Sequence, residues 1–92
     1  MINKLKRCLW LVGVFRDQAR PLNLKEVNEI YQRSSIYEGA PILAKTFYRD
    51  RIFLEQVTPF YFEWNPTIRR YELFCSKKYG EDLAIYKHLI SN

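Results

Sequence analysis

The spacing of apolar residues changes once along this chain, and the change separates a helical part from a β-hairpin. Before Thr58 the apolar residues recur at intervals of three and four, which is typical of amphipathic helices. After Pro59 large apolar residues occupy every second position from 60 to 64, which indicates a strand. Residues 65–68 have turn chemistry, and residues 69–74 are predicted to form the return strand. Since the chain has only 92 residues, one domain must contain both parts, and nearly every apolar residue is needed for its core.

The first helix is predicted over residues 2–16, with Leu5, Leu9 and Val12 at core spacing. Its other faces are also apolar, because they carry Trp10, Leu11 and Val14. A helix that is apolar all round must be covered on more than one side. We expect the cover to come from a last helix, predicted over residues 79–90, and from a modest contact with a second copy of the chain.

Two further helices are predicted between the first helix and the hairpin. Asn23 and Glu26 form a capping-box pattern that starts a helix ending near residues 34–35. A loop over residues 35–41 leads to a third helix over residues 43–56. That helix turns Phe47 and Leu54 toward the core, and its opposite side carries Lys45, Tyr48, Arg49 and Ile52.

The predicted fold class follows from this order of elements. It is mainly α with a small β-hairpin (α+β), and three helices followed by a hairpin is the order of a winged helix-turn-helix. In that fold the third helix enters the major groove of DNA and the hairpin is the wing. The predicted domains are a winged helix-turn-helix DNA-binding domain over residues 1–78 and, over 79–92, a C-terminal helix that packs on it or leads to a sensor domain.

The net charge of +5 and the isoelectric point near 9.4 favour an anionic partner. Nucleic acid, an acidic protein and an anionic membrane all satisfy that preference, and simple solubility explains the charge equally well. The membrane hypothesis rests only on the apolar run over residues 8–15. That run is too short to span a bilayer, and Arg16 and Asp17 follow it at once without a cleavage site.

Enzyme and metal chemistry find little support in the residue pattern. Cys8, Cys75 and His88 are far apart and have no zinc-ligand spacing, so free thiols and a cytoplasmic protein are expected. Three glycines argue against a phosphate-cradling loop, and no nucleophile with a neighbouring base stands out. We therefore predict a protein that is not an enzyme and has no cofactor and no metal.

The candidate DNA-binding residues lie on the third helix and at the hairpin turn. A groove-reading helix needs long donors near its N-terminal end, and Lys45, Thr46, Tyr48 and Arg49 meet that need. Arg69 and Arg70 directly follow the turn, where a wing meets phosphates or the minor groove. The alternatives are an ordinary solvated helix face and a charged strand edge that discourages aggregation.

Three further side chains near these sites receive structural interpretations. Arg51 is predicted to form an ion pair with a carboxylate such as Glu26, Glu29 or Glu63, and DNA contact is its alternative. Trp64 and Tyr71 are interpreted as core residues at the base of the wing, with nucleotide stacking as their alternative. Asp50 and Glu63 are expected to dilute the positive charge of the surface.

Several of these segments resemble the N-terminal domain of WYL-domain transcriptional regulators. The resemblance is carried by Pro21 to Ser35, Gly39 to Ile42 and Lys45 to Arg49, and it extends in the same order to about Leu73. It implies a winged-helix fold, a bacterial-type regulator and a recognition helix with Lys45, Thr46, Tyr48 and Arg49. This chain departs from the family pattern at Leu43, where the family usually has a polar cap, and in the less basic wing tip at Pro66 and Thr67.

The predicted function is sequence-specific binding of double-stranded DNA by the reading head of a transcription regulator, with no membrane contact. The alternative is a winged-helix module for protein interaction or dimerisation that does not touch DNA. Its working surface would be the apolar first and last helices. A weak homodimer is expected in either case, because helix-turn-helix regulators commonly read two half-sites as symmetric dimers.

Overall fold

Three helices precede a two-stranded antiparallel hairpin in the computed structural model, which describes residues 3–76. The helices are α1 (Lys4–Gln18), α2 (Leu24–Gln32) and α3 (Ala44–Val57), and the strands are β1 (Phe60–Asn65) and β2 (Arg70–Cys75). The predicted α+β class, with three helices before a hairpin, is confirmed. The predicted helix over 79–90 and the domain boundary after residue 78 lie outside the described residues.

The buried face of α1 agrees with the predicted one only in part. Leu5 and Leu9 are 51% and 38% exposed, whereas Leu11 is fully buried. The prediction is correct for Val12, which is fully buried, and wrong for Leu5 and Leu9. Because α1 is apolar on several faces, periodicity alone cannot select the whole face that packs. The neighbouring elements select it instead: Phe15 meets Phe62 of β1 edge to face, with ring centroids 4.9 Å apart.

The three α1 residues that were predicted to need cover beyond a three-helix core are buried or half-buried. Leu11 and Val14 are buried in the core. Trp10 is half-buried, and its ring meets the Tyr31 ring of α2 edge to face at 5.4 Å. These three positions are thus covered, and the large apolar residues of α1 that are exposed are Leu5 and Leu9. The last helix that was predicted to cover them lies outside the described residues.

The start of α2 confirms the predicted capping box. Asn23 Oδ1 accepts a hydrogen bond from the Glu26 backbone at 2.8 Å, and Glu26 Oε1 accepts one from the Asn23 backbone at 2.9 Å. These two bonds satisfy amide groups that a helix N-terminus otherwise leaves without partners. The helix turns Val27 and Tyr31 into the core. It ends at Gln32, slightly before the predicted end.

The loop between α2 and α3 is held by one side chain, Asn28. Its Nδ2 donates to the Ile42 carbonyl at 3.0 Å, and its Oδ1 accepts from the Ile42 amide at 2.7 Å. The two bonds reproduce the pairing of one strand residue with another. Because Ile42 is buried and Ala44 starts α3, this contact sets where α3 begins relative to α2.

The hairpin closes the core from the other side. Phe60 and Phe62 are buried, and Phe62 lies opposite Leu73 in the antiparallel register. Leu22, in the linker between α1 and α2, bridges Tyr71 through backbone hydrogen bonds of 3.0 and 2.9 Å. The hairpin is thus attached by its second strand to the segment that precedes α2.

Candidate nucleic-acid interface

The predicted recognition residues share the outer side of α3. Lys45, Tyr48 and Arg49 are exposed, and Tyr48 keeps 56% of its surface accessible. Thr46 is half-buried at the edge of this face. The helix starts after Leu43, whose side chain makes no capping hydrogen bond. The outer side of α3 therefore presents long donors close to its N-terminal end, as the sequence predicts.

This face carries no exposed carboxylate before Glu55, because Asp50 points inward. Asp50 is fully buried and pairs with Arg7 of α1, which donates from Nη2 to Oδ1 at 2.8 Å and from Nε to Oδ2 at 2.5 Å. The hydrogen bond with Asp50 raises the pKa of Arg7. The prediction that Asp50 dilutes the positive surface is wrong, since its charge is neutralised inside the domain.

Lys4 of α1 extends the basic face, although it is not among the residues predicted to bind DNA. An open groove next to α3 is lined by Lys4, Tyr48, Arg49, Ile52, Phe53 and Gln56. The Lys4 ammonium lies 4.9 Å from the centre of the Phe53 ring, a cation–π distance. The sequence contains a signal for this role, because Lys4, Lys6 and Arg7 are three basic residues within positions 4–7. Only packing of α1 beside α3 brings it to this groove.

The hairpin turn presents Arg69. Asn65 Oδ1 accepts a hydrogen bond from the Thr67 backbone at 3.0 Å, which organises the turn. Arg69 closes it in the left-handed backbone region, with φ of 55°, and its side chain is exposed. The tip therefore carries one exposed guanidinium that makes no hydrogen bond or ion pair through its side chain within residues 3–76.

Arg70 has an internal partner instead. Its Nε and Nη2 donate to the Glu26 carboxylate at 2.8 and 3.3 Å, and its Nη1 donates to the Ile68 carbonyl at 3.0 Å. Arg20 also donates to Glu26, at 3.1 Å. Hydrogen bonds from Arg70 are the largest cause of a Glu26 pKa lowered to about 2. Arg70 therefore links the hairpin to α2. That Arg70 contacts DNA stays a prediction.

Arg51 makes no ion pair with any carboxylate within residues 3–76, so that prediction is wrong. Its guanidinium carbon lies 4.4 Å from the ring centre of Tyr71, 5.1 Å from that of Phe47 and 5.5 Å from that of Tyr48. Glu26, one of the expected partners, is already engaged by two other arginines. The Arg51 guanidinium therefore contacts aromatic rings where a carboxylate was expected.

These contacts form a continuous row of side chains from α3 to the hairpin. Arg51 joins Tyr48 on α3 to Tyr71 on β2, and Tyr71 meets the Trp64 ring at 4.9 Å. Trp64 is 49% exposed, so its interpretation as a core residue is wrong, whereas Tyr71 is half-buried and packs against the core. The row consists of Tyr48, Arg51, Tyr71 and Trp64.

The thiols and acidic groups of the described chain offer no other evident site. Cys8 and Cys75 are both free, and burial is the largest cause of a Cys8 pKa raised to about 12. A thiol held protonated in this way is a poor nucleophile. Within residues 3–76 no three His, Cys, Asp or Glu side chains are grouped so that they could hold a metal ion. None of the helices in that range is long and apolar enough to cross a membrane.

Comparison of the chain with protein-family models, with curated proteins and with solved structures finds no match in any of the three.

Proposed function

We propose that this chain is a winged helix-turn-helix domain that binds double-stranded DNA with α3 in the major groove. The observation that carries the proposal is the outer side of α3. It combines Lys45, Tyr48 and Arg49 and has no exposed carboxylate before Glu55. The major groove of B-DNA is about 12 Å wide and admits one α-helix. A helix face that is cationic near its N-terminal end suits that position.

The side chains divide into two roles. Lys45 and Arg49 can donate to guanine O6 and N7, the commonest specific contact between a protein and a base edge. Tyr48, Thr46 and Lys4 lie at the borders of the same face, where hydroxyl and ammonium groups can reach phosphate oxygens.

The hairpin would act as the wing. Arg69 projects from its tip toward the DNA backbone or the minor groove. Arg70, held by Glu26, would keep the hairpin in place relative to α2. The arginines around Glu26 outnumber its single negative charge, so the cluster of Arg20, Arg70 and Glu26 keeps a net positive charge.

A transcription regulator is the proposed context for this activity. That step rests on the resemblance of residues 21–35 and 45–49 to the DNA-binding domain of WYL-domain regulators. Such a domain acts in the cytoplasm and reads an operator, commonly as a symmetric dimer.

The test is a fluorescence-anisotropy titration of a short labelled duplex at low salt, followed by selection from a random duplex pool. The Lys45→Ala/Arg49→Ala variant should bind at least about tenfold more weakly, since a good bidentate base contact is worth about 1–3 kcal/mol. Its free energy of unfolding should change by less than about 0.5 kcal/mol per exposed substitution.

The matched control removes the same charge from α1. Lys6 and Arg16 are exposed, and their side chains make no hydrogen bond or ion pair within residues 3–76. Lys6→Ala/Arg16→Ala should keep most of the affinity. Equal weakening of both variants would mean that the protein responds to net charge alone and would contradict a groove-reading α3.

A protein-interaction module is the second candidate, and the exposure of Leu5 and Leu9 favours it. These leucines are one helical turn apart on α1, so they form one apolar patch. The two candidates differ in salt dependence, because binding to DNA releases counterions and an apolar protein contact does not. A titration that shows no duplex binding at low salt would favour the second candidate.

A further inference from the structure

We propose that Arg51 forms an anion site, between α3 and β2, that takes one phosphate of a nucleic-acid backbone. The proposal rests on the DNA-binding function proposed above and adds a residue and a ligand class to it. The guanidinium of Arg51 lies within cation–π distance of the rings of Tyr71, Phe47 and Tyr48.

The hydrogen-bonding state of Arg51 is the first argument. An arginine side chain has five N–H donors, and buried donors are nearly always satisfied. The Nε atom of Arg51 is buried and has no hydrogen-bond partner, and no other Arg51 guanidinium nitrogen bonds to a residue within 3–76. The charge is held by ring faces, which attract a cation but accept no conventional hydrogen bond from it. Nη1 and Nη2 are not among the buried nitrogens without a partner, so these two nitrogens remain open to an external acceptor.

The position of Arg51 is the second argument, because it favours a backbone phosphate over other anions. Arg51 joins Tyr48, at the recognition face of α3, to Tyr71 of the hairpin. A duplex that accepts α3 in its major groove places one of its strands between that helix and the wing. Arginine recognises phosphate oxygens with two parallel hydrogen bonds, a geometry that its planar group provides.

The contrast with the other arginines near the hairpin is the third argument. Arg70 uses all three guanidinium nitrogens on Glu26 and Ile68, and Arg20 binds Glu26 and the Pro21 carbonyl. Arg51 has the same chemical group and no acceptor. If Arg51 served only to hold α3 against β2, a carboxylate partner would stabilise that contact, as Glu26 does for Arg70.

The first experiment observes the Arg51 Nε–H resonance by ¹⁵N NMR while inorganic phosphate, and separately a short duplex, is added at low salt. Arg33 is the control, because it is exposed at the C-cap of α2 and makes no side-chain hydrogen bond or ion pair within residues 3–76. We expect the Arg51 resonance to shift with both ligands, and more than that of Arg33. No shift at Arg51, or equal shifts at the two residues, would overturn the proposal.

The second experiment measures how duplex affinity varies with salt in the wild type, Arg51→Lys and Arg51→Met. Loss of one phosphate contact lowers the slope of log affinity against log salt by about 0.9. Arg51→Met should show that loss, and Arg51→Lys should retain most of the slope. A folded Arg51→Met protein with the wild-type slope would overturn the proposal. If Arg51→Met does not fold, the Arg51→Lys slope and the NMR titration decide.

The outcomes also separate this inference from the proposed function. A wild-type protein that binds no duplex, but whose Arg51 resonance shifts with inorganic phosphate, would remove the DNA-binding proposal and retain an anion site. A wild-type protein that binds duplex while Arg51 neither shifts nor alters the slope would retain DNA binding and remove the site.

Discussion

Arg70 of β2 donates two hydrogen bonds to Glu26 of α2, a residue 44 positions earlier in the chain. The same Glu26 carboxylate accepts the Asn23 amide of the capping box. One side chain therefore caps α2 and binds the hairpin to it. Because α3 follows α2 through a loop held by Asn28, this contact also helps to set the position of the hairpin relative to α3.

Glu26→Gln should lower the free energy of unfolding by about 0.5–1 kcal/mol. Gln at this position can complete the capping box, so the loss comes from ion pairs that are partly exposed and therefore worth little each. Glu26→Ala also removes the side-chain half of the cap and should cost a further amount of about 0.5 kcal/mol or more. Urea denaturation measures both, with the exposed Glu29→Gln as control. Equal stability of Glu26→Gln and Glu29→Gln would contradict the role of the Arg70 contact.

Stability should fall as the pH drops from about 4.5 to about 2. The pKa of Glu26 is lowered from 4.5 to about 2 in the folded state, first by its hydrogen bonds from Arg70. A carboxyl group with a lowered folded-state pKa stabilises the fold above its unfolded pKa, and that contribution disappears as the pH falls through the folded value. Urea midpoints across this range should decline more steeply in the wild type than in Glu26→Gln. Parallel declines would show that other carboxylates cause the acid sensitivity.

Arg7→Met should destabilise the fold more than Asp50→Asn does. The Asp50 carboxylate is fully buried, whereas the Arg7 side chain retains partial access to solvent. Removing Arg7 leaves a buried charge without a partner, a change that typically costs about 3–5 kcal/mol. Removing the charge of Asp50 leaves an arginine that can still reach water. Thermal or urea unfolding compares the two variants, and Lys6→Met on the exposed side of α1 is the control. A larger loss for Asp50→Asn would reverse this assignment.

Leu9→Lys and Trp10→Lys should have different effects on folding and self-association. Leu9 is exposed, so its lysine variant should remain folded and should weaken any homodimer formed through the Leu5 and Leu9 patch. Trp10 packs on Tyr31, so its lysine variant should lose about 2 kcal/mol or more of stability. Sedimentation across a concentration series, with far-UV circular dichroism as the folding control, separates the two effects. A monomeric wild type would remove the dimer proposal.

The sequence by itself determined the features that depend on neighbouring residues. The capping box needs only Asn23 and Glu26, three positions apart, and both of its hydrogen bonds form as predicted. The alternation of buried Phe60 and Phe62 with Tyr61 between them needs only the pleat of a strand, although it does not extend to Trp64, which is exposed. The outer side of α3 also follows from helical spacing, because Phe47 and Leu54 are buried and so turn Lys45 and Arg49 outward.

Only the tertiary structure decided the long-range contacts. At each of them the sequence offers several chemically similar faces or partners, and the fold selects one. The sequence could not select the packed face of α1, since several of its faces are apolar and the hairpin and α2 choose among them. Asp50 and Arg7 are 43 positions apart, so neither their pairing nor the burial of Asp50 has a local signature. For Arg51 the local pattern indicated a carboxylate partner, but Glu26 is engaged by Arg20 and Arg70, and the folded hairpin brings Tyr71 instead. Spacing determines what a residue can face within its own element, and packing between elements determines what it meets.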